Sequence, residues 1–288
     1  MCGTCGCGSQ SQTKITDLQT GKEMLMTDPV MPAHDHDHTH DHDHDHGHSH
    51  DHDTGHDHHH GHHAHQHKAS ALVTLEAQIL AKNDALAARN RAWLAGREIL
   101  ALNLVSSPGS GKTSLLERTI RDLQGKMPIS VIEGDQATSH DGERIRAAGA
   151  PAIQVNTDAG CHLEADMIAR GLTQLKPAFG SVVMIENVGN LVCPALFDLG
   201  EAAKVVILSV TEGEDKPLKY PHMFKAAALM IVNKIDLLPY VDFDMNAAMA
   251  HARTVNPDIV ILQLSAKSGE GLQGWYQWLR QTAASKRL

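Results

Sequence analysis

The residues best suited to phosphate chemistry lie in a glycine-rich segment, residues 107–113, which reads Ser-Pro-Gly-Ser-Gly-Lys-Thr. It follows an apolar run and precedes an amphipathic stretch. A strand, such a loop and a helix in this order place backbone amides and a lysine on the β- and γ-phosphates and a hydroxyl on Mg²⁺. The predicted phosphate-contacting residues are Gly109, Ser110, Gly111, Lys112, Thr113 and Ser114. The usual first glycine is replaced by Ser106, a departure that we treat as minor because both remaining glycines still allow the tight backbone.

A second motif can read the base. Residues 233–236 read Asn-Lys-Ile-Asp after an apolar run, and the Asp236 carboxylate can accept hydrogen bonds from two guanine donors that adenine lacks. After a later run, Ala266 is expected to offer its N–H to the guanine carbonyl, and two lysines are expected to lie along the base. The predicted base-side residues are Asn233, Lys234, Asp236, Ser265, Ala266 and Lys267. Together the motifs predict a P-loop GTPase that binds GTP and GDP.

Acidic residues follow two further apolar runs, where ligands of open parallel sheets bind. Asp135 and Glu186 are expected near the γ-phosphate and Mg²⁺, and Gly189 is expected to give its amide to that phosphate. Lys112, Asp135 and Glu186 are therefore the candidate catalytic residues. Asp135 has an alternative interpretation as a helix cap or turn residue. The sequence leaves open which acid orients the attacking water.

Transition-metal ligands are predicted to meet at the same edge. Cys161 and His162 follow one run, and Cys193 follows the loop that contains Gly189. Thiolates and imidazoles bind Zn²⁺ and Ni²⁺, although a single cysteine is commonly just a small buried hydrophobe. Three ligands per chain favour a site shared by two chains or one completed by water. Because Cys193 is close to Gly189 in sequence, we expect the nucleotide to alter metal affinity.

The first residues hold a second candidate metal site, Cys2, Cys5 and Cys7. Removal of Met1 would expose an α-amine beside the three thiols, and this donor set suits planar Ni²⁺, whereas Zn²⁺ would take the sulfurs tetrahedrally. Terminal cysteines without a ligand role are the alternative.

A histidine-rich tract runs from His34 to His67 and holds 18 of the 22 histidines, interleaved with eight aspartates. Almost no apolar residue interrupts it, so it is predicted to be a disordered tether that binds several metal ions weakly. An engineered tag is disfavoured by its internal position and its alternation with aspartate.

Charge and composition exclude some classes of protein. The formal net charge is −9, and the tract's eight aspartates account for nearly all of it, so no basic surface indicates nucleic acid. No apolar stretch has the length of a signal peptide or membrane span. Three of the five cysteines lie within the first seven residues and the other two stand singly, an arrangement that fits a reducing compartment. We therefore expect a cytoplasmic protein.

Hydrophobic periodicity predicts an α/β fold. A helix is expected over residues 70–94, ended by Gly96, and another over 271–284. Seven apolar runs favour a mostly parallel sheet of about seven strands flanked by helices, the P-loop NTPase fold. The runs are 99–105, 129–133, 152–156, 182–186, 204–210, 227–232 and 259–264. We divide the chain into a leader (1–33), the tract (34–67) and a GTPase domain (68–288).

These motifs resemble the HypB family of hydrogenase nickel-incorporation GTPases over essentially the whole chain. The most specific are Gly-Cys-His-Leu-Glu at 160–164 and Glu-Asn-Val-Gly-Asn-Leu-Val-Cys-Pro at 186–194. The resemblance implies delivery of nickel to the large subunit of [NiFe] hydrogenase, together with a HypA-like zinc-bearing partner. It also implies GTP-dependent dimerisation and a metal site of Cys161, His162 and Cys193. By the same resemblance, the leader cysteines bind nickel tightly and the tract stores it.

Two alternatives remain open. The urease accessory GTPases carry a Cys-Pro-His motif, whereas this chain reads Cys-Pro-Ala at 193–195, which disfavours them. The protein could instead be mainly a metal buffer whose nucleotide switch only retains or releases ions.

Overall fold

The computed structural model describes residues 13–26, 64–135, 140–157 and 160–286 of the 288-residue chain. Within them, nine strands form one sheet in the order β2-β1-β5-β4-β6-β3-β7-β8-β9. The seven strands β3 to β9 pair in parallel and correspond to the seven predicted apolar runs, so the predicted parallel sheet is confirmed. They are β3 (Leu100–Ser106), β4 (Ile129–Asp135), β5 (Ala152–Asn156), β6 (Val182–Glu186), β7 (Ala203–Ser209), β8 (Ala227–Asn233) and β9 (Val260–Gln263).

Helices cover both faces of the sheet. They are α1 (Ala64–Ala95), α2 (Lys112–Leu123), α3 (His140–Ala147), α4 (Ala165–Leu175), α5 (Cys193–Leu196), α6 (Lys216–Lys219), α7 (Pro221–Ala226), α8 (Met245–Val255) and α9 (Leu272–Ala284), with a 3₁₀ helix at Ile235–Tyr240. Side chains alternate along each strand. In β3, Leu102 and Leu104 pack in the cluster that contains α2 and α9, while Ala101 packs in the cluster that contains α4. The central strands are therefore buried on both faces, which explains their continuous apolar sequence.

Helix α9 fixes the helix that follows the phosphate loop. Trp275 is fully buried, and its Nε1 donates to Thr119 Oγ1 of α2 at 2.9 Å. The Tyr276 hydroxyl donates to Asp122 Oδ2 at 2.8 Å. These two bonds, beside the apolar contacts, hold the orientation of α2 and hence of its N-terminus.

A β-hairpin extends the sheet where the sequence predicted only a leader. Strands β1 (Lys14–Asp17) and β2 (Glu23–Leu25) pair antiparallel, and β1 also pairs antiparallel with β5. Ile15 is fully buried, and contacts group the hairpin with the chain from Ile79 onward. The 1–33 leader is therefore corrected: residues 14–25 belong to the sheet. The segment was missed because two strands of four and three residues carry too little hydrophobic periodicity.

Helix α1 begins earlier than expected. It starts at Ala64 rather than near residue 70, so residues 64–67, the end of the histidine-rich tract, are helical rather than part of a tether. Its C-terminus lies at Ala95, directly before Gly96, as predicted. No helix among the described residues is long and apolar enough to cross a membrane.

Candidate functional site

The phosphate loop connects β3 to α2 at the carboxyl edge of the sheet. Gly109 and Gly111 have φ angles of 74° and 95°, which side chains rarely adopt. A Cβ on Gly111 would lie 2.5 Å from Asn233 Nδ2, so the base-reading motif packs directly against this loop. Asn233 Nδ2 donates to Ser110 O at 2.9 Å, and Lys234 Nζ donates to Gly109 O at 2.7 Å. The two predicted motifs thus pack together as one structure.

Ser106, the departure from the usual loop pattern, has a specific partner. Its side chain is buried, and its Oγ accepts a hydrogen bond from Lys112 Nζ at 2.8 Å. Burial lowers the pKa of Lys112 below its ordinary value, opposed by nearby carboxylates, of which Glu186 is the strongest. The serine therefore solvates a buried ammonium group that a glycine at this position would leave without a side-chain partner.

The candidate Mg²⁺ ligands lie on neighbouring elements. Thr113 Oγ1 donates to Glu186 Oε1 at 2.7 Å, and the buried Glu186 Oε2 has no hydrogen-bond partner among the described residues. Burial raises the pKa of the Glu186 carboxyl to about 7, while Lys112 and the Thr113 bond oppose the rise. A hydroxyl and a carboxylate whose second oxygen is buried and unsatisfied form an oxygen-donor set that fits Mg²⁺.

The phosphate side of the cleft is a cavity of about 480 Å³. All six predicted phosphate-loop residues line it, as do Glu186 and Gly189. A Cβ on Gly189 would lie 3.0 Å from Pro108 Cγ, so this position requires close approach to the loop. Asp135 is the last residue of β4, but its side chain lies outside the described residues. Its predicted role therefore stays a prediction.

Sequence reasoning missed several groups on this side. The buried Glu133, two residues before Asp135, lines the cavity together with Asp141 and Arg144 of α3. Glu212 Oε1 accepts from Ser110 Oγ at 2.6 Å, and it lies just beyond β7. The position of Glu133 and Glu212 near the ends of strands was the available signal. Arg144 offered none, because its only local feature is a helix.

The base side adjoins the phosphate side as a second cavity of about 450 Å³, lined by Asn233, Lys234, Asp236, Ala266 and Lys267. Asp236 Oδ1 accepts from Ser265 Oγ at 2.5 Å. The Ala266 amide, expected to face guanine, donates instead to Asn233 Oδ1 at 3.1 Å, because the buried Asn233 carbonyl takes the nearest donor. All six predicted base-side residues are thus brought together.

The predicted metal ligands also meet. The ligand atoms of Cys161, His162 and Cys193 lie within 4.8 Å of one another, the only such group of metal ligands in the described part of the chain. The two Sγ atoms are 3.0 Å apart, and His162 Nδ1 is 3.6 Å from Cys161 Sγ. Two thiols and an imidazole at this separation can bind one transition-metal ion with a position left for another ligand.

The imidazole is held ready to bind a metal. His162 lies against Phe197, with ring centroids 3.9 Å apart, and its buried Nε2 makes no hydrogen bond within the described residues. Burial lowers the pKa of His162 to about 4, so the ring is neutral at physiological pH. A neutral ring has the lone pair that a metal requires.

Buried amides connect the two sites. Asn187, next to Glu186, accepts a hydrogen bond from the Leu163 amide at 3.3 Å and donates to Asn103 Oδ1 at 3.2 Å. Asn190 Nδ2 donates to Cys161 O at 3.3 Å. The loop after β6 therefore contacts the phosphate side through Glu186 and the metal ligands through two asparagines. Sequence patterns could not identify Asn103, which lies within an apolar strand.

The remaining predicted ligands lie outside the described residues. These are Cys2, Cys5 and Cys7 and the histidines from His34 to His63. His65 and His67 lie in the first turn of α1, where only the backbone is described.

The fold and the cleft define a class of P-loop proteins. The family described as CobW/HypB/UreG, nucleotide-binding domain, matches residues 100–263, more than half of the chain. A Hydrogenase maturation factor HypB from Azotobacter chroococcum mcd 1 is 60% identical over 219 residues, which cover 76% of this chain and 72% of that protein. One from Escherichia coli (strain K12) is 60% identical over 208 residues, 72% of each chain. The chain belongs to the HypB family of hydrogenase maturation factors.

Two solved HypB structures share the fold of this chain. HypB from Archaeoglobus fulgidus gives a TM-score of 0.67 at 39% identity, covering 70% of this chain and 99% of that one. HypB from Helicobacter pylori, solved in complex with nickel, gives 0.67 at 37% identity, covering 71% and 96%. The predicted P-loop NTPase fold is thereby confirmed.

Proposed function

We propose that this protein is a GTP-hydrolysing nickel metallochaperone that stores nickel and inserts it into the large subunit of [NiFe] hydrogenase. Its partner in delivery is a HypA-like zinc-bearing protein. Membership of the maturation-factor family and the nickel complex of the Helicobacter pylori relative support this proposal. The protein works in the cytoplasm, in keeping with cysteines that are crowded at one end of the chain or single.

The cleft supports guanine nucleotides as the ligands. Asp236 offers a carboxylate to the two guanine donors, and Ser265 fixes that carboxylate by its hydrogen bond. Lys112 and the loop amides stabilise charge on the transferred phosphoryl group. When bound, Mg²⁺ neutralises phosphate charge, and Thr113 and Glu186 would hold it, with Asp135 as a further candidate. Either acid could orient the attacking water.

The metal centre is where nickel is loaded for delivery, and zinc is a competing occupant. Cys161, His162 and Cys193 supply three ligands, and a GTP-dependent homodimer would bring the ligands of two chains together. Tight nickel binding by Cys2, Cys5 and Cys7 and storage by the tract complete the scheme. A buffering protein is the second candidate, favoured by the 18 histidines of the tract.

One observation carries the proposal. Residues 186–193 form a single short segment that bonds Thr113 through Glu186, packs on Pro108 through Gly189 and carries the thiol of Cys193. If exchange of GTP for GDP moves Glu186, the same segment moves and the affinity for metal changes. By linkage, bound metal must then change nucleotide affinity by the same free energy.

The test is a nickel titration of the full chain with Cys2, Cys5 and Cys7 changed to serine. Only the thiols of Cys161 and Cys193 remain, so thiolate-to-nickel absorption reports the metal centre alone. Nickel dissociation constants measured with GDP and with a non-hydrolysable GTP analogue should differ by about 5–150-fold, the usual range of coupling between sites. Equal constants would contradict the proposal.

A further inference from the structure

The metal ligands lie on two chain segments that are far apart in sequence. We define the first ligand segment as residues 161–165, which holds Cys161 and His162. The second ligand segment is residues 193–199, which begins with Cys193. Because a metal ion needs its ligands within a few ångströms of one another, the two segments must be held in a fixed relation.

Two asparagines of α1 bond both segments at once. Asn83 Oδ1 accepts from the Ala165 amide at 2.9 Å, and its Nδ2 donates to Asp198 O at 2.7 Å. Asn90 Nδ2 donates to Ala165 O at 2.8 Å and to Leu199 O at 3.1 Å. Each asparagine therefore bridges the first ligand segment to the second.

Helical spacing and burial fix the positions of these amides. Asn83 and Asn90 are seven residues apart, two helical turns, and so share one face of α1. Their side chains are only 4% and 5% exposed, where an unbonded amide would be costly. Gly200 packs so close to this face that a Cβ would lie 2.5 Å from Ala87 O. The helix thus contacts the end of the second ligand segment without an intervening side chain.

An ion pair reinforces the contact at the surface. Arg91 NH2 lies 2.7 Å and 2.5 Å from the two carboxylate oxygens of Asp198. The Arg91 pKa is raised, chiefly by this hydrogen bond to Asp198. Half-exposed ion pairs contribute little to stability, so we assign the main effect to the buried amides.

We propose that Asn83 and Asn90 are positioning residues for the metal centre: they hold the two ligand segments at the separation at which two thiols and an imidazole bind one ion. This inference rests on the proposed metal function. The asparagines touch no metal ligand atom and act through the backbone of residues 165, 198 and 199.

The first experiment measures the separation of the segments without metal. In the full chain with Cys2, Cys5 and Cys7 changed to serine, Cys161 and Cys193 are the only thiols. Glutathione disulfide oxidises the pair to an intramolecular disulfide and is itself reduced to two glutathione thiols. The equilibrium constant of this exchange reports how closely the two thiols are held.

We expect Asn90→Ala and Asn83→Ala to lower that constant about 10-fold, the effect of losing roughly one hydrogen bond's net stabilisation of the paired segments. Asn256→Ala is the matched control, because Asn256 Nδ2 also donates to backbone carbonyls, at 3.0 Å to Phe224 O and 2.9 Å to Ala227 O, and neither carbonyl belongs to a ligand segment. Unchanged GDP affinity shows that each variant is folded. Parental constants in folded Asn83 and Asn90 variants would overturn the proposal.

Arg91→Ala covers the case in which the asparagine variants do not fold. The side chain of Arg91 is 50% exposed, so its loss spares the core. We expect a fall of about 2-fold in the disulfide constant, since exposed pairs contribute at most about 1 kcal/mol. A fall of about 10-fold or more in Arg91→Ala would overturn the proposal, because the ion pair and not the buried amides would then set the separation of the segments.

The second experiment titrates nickel into the same proteins and follows thiolate-to-nickel absorption. The Asn90→Ala centre should bind nickel about 10-fold more weakly than the parent, and the Asn256→Ala centre should match the parent. Absence of the absorption in the parent would refute the proposed nickel function, while the disulfide constants would still decide the role of the asparagines. Equal nickel affinity in Asn90→Ala and the parent would refute the positioning role.

Discussion

The nucleotide cleft and the metal centre share one edge of the sheet, but their side chains are held by different partners. In the cleft, Lys112 is bonded to Ser106, Thr113 to Glu186 and Asp236 to Ser265. At the metal centre, the buried Nε2 of His162 has no hydrogen bond within the described residues. The cleft side chains thus bond one another, with Glu186 Oε2 left without a partner among the described residues, whereas the metal ligands contact each other through Cys161 Sγ, Cys193 Sγ and His162 Nδ1.

This difference has a thermodynamic consequence. A nucleotide must exchange existing protein hydrogen bonds for new ones, so its net gain is the difference between two bonded states. A metal ion at Cys161, His162 and Cys193 displaces thiol protons and replaces the contacts that join the two ligand segments at these side chains. We therefore expect nucleotide affinity to depend on individual pairs in the cleft and metal affinity to depend on how the ligand segments are held.

The largest effect is expected for Lys112→Ala. Loss of the ammonium group removes charge stabilisation from the phosphoryl group and should lower the rate of GTP hydrolysis by roughly 10²–10³-fold. Phosphate release at saturating GTP measures it. Lys126→Ala, three residues beyond the C-terminus of the same helix, is the matched control and should keep the parental rate. Parental hydrolysis in Lys112→Ala would mean that the phosphate loop is misassigned.

The next effect concerns the base. Asp236→Asn should weaken GTP on the order of 10²-fold, because two charge-assisted hydrogen bonds are lost, and should favour xanthosine triphosphate, whose C2 carbonyl can accept from the new amide. The Ser265 hydroxyl keeps an acceptor in the variant, so the cleft stays formed. Competition titrations with both nucleotides measure the change, and Asp258→Asn serves as the control. An unaltered GTP dissociation constant would rule out this role for Asp236.

A third prediction addresses the connection between the two regions. Cys161→Ala and Cys193→Ala should each remove the difference in metal affinity between GDP and a GTP analogue, a coupling of about 5–150-fold in the parent. Nickel bound by the leader cysteines should be unaffected. Isothermal titration in the two nucleotide states measures both values. If the coupling survives in both variants, the metal site that is coupled to the nucleotide lies elsewhere in the protein.

The smallest effect on affinity is expected for deletion of residues 34–63. The number of nickel ions bound per chain should fall, while the tightest site and GTP hydrolysis should not change. In the parent, metal on the tract should be released first as pH falls through roughly 6.5, the ordinary imidazole pKa. His162, with its pKa lowered to about 4, stays neutral at that pH, so protons compete less for it. Equilibrium dialysis between pH 7 and 5 follows both effects, and undiminished stoichiometry would make the tract a passive linker.

The sequence predicted those parts of the molecule whose chemistry is local. Buried parallel strands read as continuous apolar runs, and the glycine-rich and Asn-Lys-Ile-Asp motifs are contiguous. The hairpin could not be predicted, because only Ile15 of β1 is buried and no residue of β2 is. Nor could Asn83 and Asn90, whose partners are backbone atoms 75 or more residues away. Ser106 differs from glycine by one hydroxymethyl group, and its role as a hydrogen-bond acceptor for Lys112 is visible only in the structure.

The register of the hairpin also determines where the chain enters and leaves this part of the sheet. Lys14 pairs with Asn156 at the carboxyl end of β5 and with Leu25 at the end of β2. The chain therefore enters the hairpin and leaves it at the edge of the sheet that bears the metal centre. Cys7 is six residues before Thr13, so whatever path the chain takes, its Cα lies within roughly 20 Å of that point. An ion released by the leader thiols would start its search at a local concentration set by chain length rather than by the bulk supply of nickel.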